Sequence, residues 1–104
     1  MNFREGLDKK IVESTWETMR NYLRIKGETE DLKDKEFMVA LNANTVYVNV
    51  KPDGETRHIC ICDNAISAYN VCVELRKKVQ NEEGFEIITP EDSIRSGIFT
   101  FKVV

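Results

Sequence analysis

A Pro-Asp-Gly turn between two β-rich runs is the feature that most restricts the fold of this chain. Residues 44–50 and 56–62 are rich in residue types that favour strands. Between them, Pro52 presets φ at one turn corner, and Gly54 accepts the left-handed conformation that follows. Residues 44–62 therefore predict a β-hairpin.

The same turn predicts which strand residues face each other. With Lys51 and Glu55 flanking the turn, the partners follow by counting outward along both strands. The predicted pairs are Val50 with Thr56, Val48 with His58, and Val46 with Cys60. One face then carries Val46, Val48, Val50, His58, Cys60 and Cys62. The other face carries Thr45, Tyr47, Asn49, Arg57, Ile59 and Ile61.

Two amphipathic helices are predicted on either side of the hairpin. In residues 8–26 apolar side chains recur at spacings of three and four, and Gly27 follows them. These apolar residues are Ile11, Val12, Trp16, Met19, Tyr22 and Leu23. The second helix is expected to begin after Asp63 or Asn64, which are both good N-caps, and to end at residues 81–84. Its core-facing side carries Ala65, Ala68, Tyr69, Cys72, Leu75, Arg76 and Val79.

Three more strand candidates complete the fold prediction. A charged connector, residues 28–36, leads to an apolar run at residues 37–41, and two further runs occupy residues 85–89 and 98–104. We therefore predict one α+β domain over residues 1–104 in the order α-β-β-β-α-β-β, with a mostly antiparallel sheet packed against two helices. Its parts are the N-terminal helix of residues 1–27, the connector of residues 28–36, and the sheet with the second helix at residues 37–104.

The last predicted strand has an apolar side and is expected at the edge of the sheet. Its apolar residues are Phe99, Phe101, Val103 and Val104. An apolar edge strand needs cover, and pairing with a second copy of the chain is a common way to provide it. We therefore expect a homodimer.

The charge composition argues against nucleic-acid binding. Charged residues make up 32% of the chain but the net charge is only −3, whereas backbone-driven binding needs clustered cations. The longest basic run, residues 76–78, suits the negative end of the second helix dipole.

The element order over residues 8–80 resembles that of double-stranded-RNA-binding domains, whose second helix begins with a basic cluster, but residues 63–68 contain no cation. The order is also similar to that of small dimeric secretion chaperones, although no motif matches residue by residue.

Cysteine content and hydropathy bear on location. Three cysteines are an odd number in a domain large enough to have a core, which favours a reducing compartment over a disulfide framework. No run approaches the ~20 apolar residues of a membrane span, and residues 1–10 lack the apolar stretch of a secretory signal. We expect a cytoplasmic protein that makes no membrane contact.

One strand and the second helix contain a possible set of metal ligands. His58, Cys60 and Cys62 alternate along the strand. Together with Cys72 on the helix they are a sufficient set for structural zinc. However, residues two apart on a flat strand have Cα atoms ~6.5–7 Å apart, which suits a tetrahedral site poorly, and buried cysteines often act as small apolar residues. Because a Ser-His-Asp set and a glycine-rich phosphate loop are missing too, we expect neither an enzyme nor a cofactor.

The Tyr47 face of the hairpin is the preferred binding site. Tyr47 and Arg57 offer large contact areas with polar tips, which interfaces favour. Asn49 and Ile59 add hydrogen bonding and apolar contact. Arg95 lies in the loop before the last strand, and such loops often carry function. The same loop holds three further candidates, Glu91, Asp92 and Ser93.

These observations predict a protein-binding module that acts as an adaptor, chaperone or inhibitor of a larger partner protein. The acidic residues of the connector support this prediction. The alternative is sequestration of an anionic, nucleotide-like molecule by Tyr47, Asn49, Arg57 and Arg95, since guanidinium groups bind phosphates well. A zinc-stabilised interaction module is the second alternative.

Overall fold

The helices and strands of the chain follow the predicted α-β-β-β-α-β-β order in a computed structural model, which describes residues 3–89 and 96–104. They are α1 (Phe3–Gly27), β1 (Glu36–Asn42), β2 (Thr45–Lys51), β3 (Glu55–Ile61), α2 (Ala65–Asn81), β4 (Phe85–Ile87) and β5 (Phe99–Val103). A short 3-10 helix, Leu32–Asp34, lies in the connector between α1 and β1. The predicted α+β fold is confirmed.

The five strands form one antiparallel sheet in the order β3-β2-β1-β5-β4. β5 therefore lies inside the sheet, between β1 and β4. The prediction of an apolar edge at β5 is wrong, because the short strand β4 covers it, and Phe99 and Phe101 are fully buried. The homodimer stays a prediction, but an exposed apolar edge at β5 no longer supports it.

Both helices pack on the same face of the sheet. The apolar stripe predicted for α1 is confirmed, since Val12, Trp16, Met19 and Leu23 are buried and Ile11 and Tyr22 pack against them. The buried apolar residues of α2 are Ala68, Val71, Cys72, Leu75 and Val79. They meet strand residues that include Phe37, Val39, Val46, Val48, Val50 and Phe101. Each fully buried large apolar side chain contributes ~1.5–3 kcal/mol. We call the opposite face of the sheet, which neither helix covers, the outer face.

Helix α2 starts and ends with specific polar contacts. The Asn64 side chain accepts a hydrogen bond from the Ser67 backbone N–H at 2.8 Å, which confirms one of the two predicted N-caps. In the basic run at residues 76–78, Lys77 pairs with Glu74 of α2, and Lys78 lies 2.6 Å from a carboxylate oxygen of α1. The two lysines of this run therefore form ion pairs within the fold.

The turn between β2 and β3 is longer than predicted. Val50 pairs with Glu55 rather than with Thr56, so four residues, 51–54, connect the two. Gly54 has a φ of 74°, as predicted for a left-handed glycine, and its N–H donates to the Val50 carbonyl at 2.7 Å. The predicted register next to the turn is wrong by one residue, because the turn contains one residue more than Pro-Asp-Gly.

A β-bulge then returns the hairpin to the predicted pairing. Tyr47 pairs with His58 and Val46 pairs with Cys60, so Ile59 is the extra residue on β3. A shift of one residue moves every side chain of a strand to the opposite face. Between the turn and the bulge, the side chains of β3 therefore lie on the faces opposite to those predicted.

Candidate functional site

The outer face of β2 and β3 forms an open depression of about 590 Å³. We call it the outer-face depression. It is lined by Asn42, Thr45, Tyr47, Asn49, Thr56, His58 and Ile61. The lining combines aromatic rings, amides and hydroxyls with one aliphatic side chain, and none of these seven residues is Asp, Glu, Lys or Arg.

Contacts between cross-strand partners order this surface. The rings of Tyr47 and His58 meet edge to face, with centroids 6.4 Å apart and planes at 82°. At the next pair, the Asn49 side-chain amide donates to the Thr56 hydroxyl oxygen at 3.0 Å. Such cross-strand pairs stabilise a sheet modestly. Because they also restrict the side chains before any ligand arrives, less conformational entropy is lost on binding.

Two of the predicted binding residues, Tyr47 and Asn49, lie together in the outer-face depression. Arg57 pairs with Val48, whose side chain is buried on the helix side of the sheet, and Ile59 belongs to the core with only 7% of its surface exposed. The prediction that Arg57 and Ile59 share a face with Tyr47 is therefore wrong. The cause is the longer turn, which shifts this part of β3 by one residue.

Arg95 lies outside the described residues, as do the loop candidates Glu91, Asp92 and Ser93. The anionic-ligand alternative needs guanidinium groups beside Tyr47 and Asn49. None of the residues that line the depression is an arginine. Within the described part of the chain, the set of residues predicted for an anionic ligand is therefore not assembled.

Three residues of the depression were not predicted on this face: Asn42, Thr56 and His58. A signal for the bulge is present, since residues 59–62 are apolar without interruption, whereas a half-buried strand alternates. The extra residue at the bulge allows successive apolar side chains, Ile59 and Cys60, to pack against the core.

Comparisons with protein-family models, with curated proteins and with solved structures found no match for this chain. Among the described residues, no helix has both the length and the apolar character needed to cross a membrane.

The candidate zinc ligands are divided between two faces of the sheet. The shift in β3 places His58 on the outer face, whereas Cys60 and Cys62 pack against the core on the helix side. Within residues 3–89 and 96–104, no group of three or more His, Cys, Asp or Glu side chains is arranged to hold a metal ion. The geometry thus gives no support to zinc at His58, Cys60, Cys62 and Cys72.

The three cysteines lie in and beside the core at the end of β3. The Sγ atoms of Cys60 and Cys62 are 3.6 Å apart. Cys72 is fully buried on α2. Burial, together with the neighbouring thiols of Cys62 and Cys60, raises the pKa of Cys72 to about 12. The Cys72 thiol is therefore protonated at neutral pH and acts as a small apolar residue.

A charged cluster lies beneath the hairpin turn, at the C-terminal end of α1. Its centre is Lys26, whose Nζ lies 2.9 Å from carboxylate oxygens of Glu30 and Asp53 and 3.3 Å from one of Glu55. Glu55 also accepts a hydrogen bond from the Tyr22 hydroxyl. The cluster therefore ties α1 to the turn of a hairpin that is distant in sequence.

Lys35 extends the cluster into the acidic connector. Its Nζ lies 2.8 Å from Glu30 and 2.7 Å from Asp53. Hydrogen bonds from Lys35 and then Lys26 lower the pKa of Asp53 to about 2. Because two lysines already hold the Glu30 carboxylate within the fold, the acidic connector is weaker support for partner binding.

Arg76 is a second buried cation. Unlike Lys26, which has three carboxylate partners, Arg76 has nitrogens without an acceptor in the described part of the chain. It lies on the core-facing side of α2, as predicted, with 9% of its surface exposed. Its Nε and Nη1 atoms have no hydrogen-bond partner within the described residues. Burial of guanidinium nitrogens without hydrogen-bond acceptors is costly.

Proposed function

We propose that this protein binds a partner protein through the outer-face depression. The observation that carries the proposal is the ordered set of Tyr47, His58, Asn49 and Thr56 on the face that the helices leave uncovered. The adaptor, chaperone and inhibitor roles expected from the sequence are all exerted by occupying a partner's surface in this way.

The chemistry of the depression indicates the kind of partner segment that fits it. Amides and hydroxyls both donate and accept hydrogen bonds, so they suit an uncharged polypeptide segment with exposed backbone groups. Tyr47 and His58 supply aromatic contact area, and Ile61, which is 76% exposed, adds apolar contact. Since neither lysine nor arginine is among the residues that line the depression, a phosphate or carboxylate ligand fits it less well.

The test is affinity capture from cells followed by quantitative mass spectrometry, using three versions of the protein. The first is the wild type and the second is the Tyr47→Ala/His58→Ala double variant. The third, Arg57→Ala, is the matched control, because Arg57 is exposed on the same strand pair but is not among the residues that line the depression. Circular dichroism establishes that all three are folded.

We expect the wild type and Arg57→Ala to enrich the same partner and the double variant to lose it. With the partner purified, the double variant should bind at least about tenfold more weakly, which corresponds to ~1.4 kcal/mol. Equal enrichment by all three proteins would contradict the proposal, as would loss of the partner in Arg57→Ala alone.

A further inference from the structure

We propose that Cys60 and Cys62 form a reactive dithiol site that exchanges with small disulfides, such as oxidised glutathione, to give an intramolecular disulfide. The proposal rests on the 3.6 Å separation of their Sγ atoms. A disulfide needs ~2.0 Å between its sulfurs. Side-chain rotation on a strand end can supply the difference, because both thiols already lie on the same side of the sheet.

The backbone around the bulge explains why the two thiols converge. On a regular strand, residues two apart are at the upper limit of the Cα separation that a disulfide accepts. Here the bulge at Ile59 comes directly before Cys60. Bulges increase local twist, and the side chains of Cys60 and Cys62 approach each other as a result.

Hydrogen bonds to one loop residue hold Cys62 in position. Its backbone N–H donates to the Asn44 carbonyl at 2.7 Å, and the Asn44 side-chain amide donates to the Cys62 carbonyl at 2.7 Å. Cys62 is therefore a fixed reaction partner for Cys60, and Asn44 acts as a positioning residue.

The thiols of Cys60 and Cys62 differ in exposure, and this difference determines which one reacts first with a small disulfide. Cys60 is half-buried, whereas Cys62 is only 5% exposed. A small disulfide can reach Cys60 first, and Cys62 can then act only within the molecule. Cys72 is fully buried and stays protonated at neutral pH, so it takes no part.

The exchange consumes one oxidised glutathione and produces two reduced glutathione molecules. The Cys60 thiolate attacks one sulfur of glutathione disulfide, which forms a mixed disulfide and releases the first glutathione thiolate. The Cys62 thiolate then attacks the Cys60 sulfur and releases the second. The two thiol protons of the protein end on the two glutathione molecules, and the protein gains the Cys60–Cys62 bond.

The test treats the folded protein with oxidised glutathione and counts thiols after denaturation. The chain has three cysteines, and we expect one titratable thiol to remain, with an intact mass lower by two hydrogen atoms. Excess reduced glutathione should restore all three. Because residues 58–76 form one tryptic peptide that holds every cysteine, variants rather than peptide mapping identify the pair.

Cys72→Ala should still form the disulfide and retain no titratable thiol, whereas Cys60→Ala should form none. Loss of the disulfide in folded Cys72→Ala would overturn the proposal, as would a wild-type protein that keeps three thiols or gains only a stable glutathione adduct. If either variant does not fold, phenylarsine oxide, which bridges two adjacent thiols, is added to the native wild type instead. One arsenical bound per chain with one thiol remaining supports the dithiol, and no binding overturns it.

Discussion

The Lys26 ammonium lies 2.9 Å from Oδ2 of Asp53, and only 4% of the Lys26 side chain is exposed. This contact joins the last turn of α1 to the turn between β2 and β3. Glu30 and Glu55 accept hydrogen bonds from the same ammonium. Together these three carboxylates compensate for the burial of a charged side chain on the helix.

Replacement of Lys26 by methionine is predicted to destabilise the protein. The substitution keeps most of the buried methylene chain but leaves carboxylates of the cluster without their shared cation. We expect the free energy of unfolding to fall by about 2 kcal/mol, measured by urea denaturation. Lys77→Met is the control, because Lys77 forms an exposed pair with Glu74, and it should change stability by less than about 0.5 kcal/mol. Equal effects of the two substitutions would show that the cluster is not a stabilising contact.

Asp53 is predicted to make stability depend on acid pH. Its pKa of about 2 in the folded protein lies below the ordinary value of about 3.9 in an unfolded chain. The unfolded state therefore binds more protons in this range, so the stabilisation is complete above about pH 4 and is lost as the pH falls towards 2.

Asp53→Asn should flatten this acid dependence in urea unfolding measured between pH 5 and pH 2. Glu30 and Glu55 also have lowered pKa values, through Lys35 and Lys26 for Glu30 and through Tyr22 and Lys26 for Glu55, so part of the dependence should remain. Asp34→Asn makes the same change in charge outside the cluster and should keep the wild-type slope. A steep acid loss that is unchanged in Asp53→Asn would contradict the assignment.

The bulge predicts opposite outcomes for two isoleucines on the same strand. Ile59→Ala removes a side chain that is 7% exposed and should lower the free energy of unfolding by about 2–4 kcal/mol. Ile61→Ala removes one that is 76% exposed and should change it by less than about 0.5 kcal/mol. Thermal or chemical denaturation measures both. If Ile61→Ala is the more damaging substitution, the bulge is misplaced.

Arg76→Met is predicted to stabilise the protein. The guanidinium is buried, and two of its nitrogens have no acceptor within the described residues. An apolar side chain of similar volume avoids that desolvation cost, so we expect a gain of about 1 kcal/mol in the free energy of unfolding. The control is Arg24→Met, which removes only an exposed pair with Glu28 and should be nearly neutral. A loss of stability in Arg76→Met would contradict this prediction.

Features that depend on local sequence were predictable. The spacing of Val12, Trp16, Met19 and Leu23 defines the buried stripe of α1 whatever it packs against. The left-handed Gly54 and the Asn64 cap likewise follow from preferences of single residues.

Features that depend on contacts between distant segments were not predictable. Asp53 in the turn forms ion pairs with Lys26 and Lys35, which lie in other parts of the chain. Turn preferences of single residues carry no information about such distant contacts. The faces of Arg57 and Ile59 then follow from that turn and from the bulge. For the same reason, two of the four hairpin residues predicted for binding, Arg57 and Ile59, were assigned to the wrong face.

The internal position of β5 also has a consequence for protein synthesis. β5 is the only neighbour of β4 in the described sheet, and it also supplies one of the two neighbours of β1. Until residues 99–103 have left the ribosome, the backbone groups of β1 on that side lack their partners, and Phe37 lacks the stacked ring of Phe101. Folding during translation can therefore produce the β1-β2-β3 meander early, but the complete sheet forms only after this late segment has been inserted.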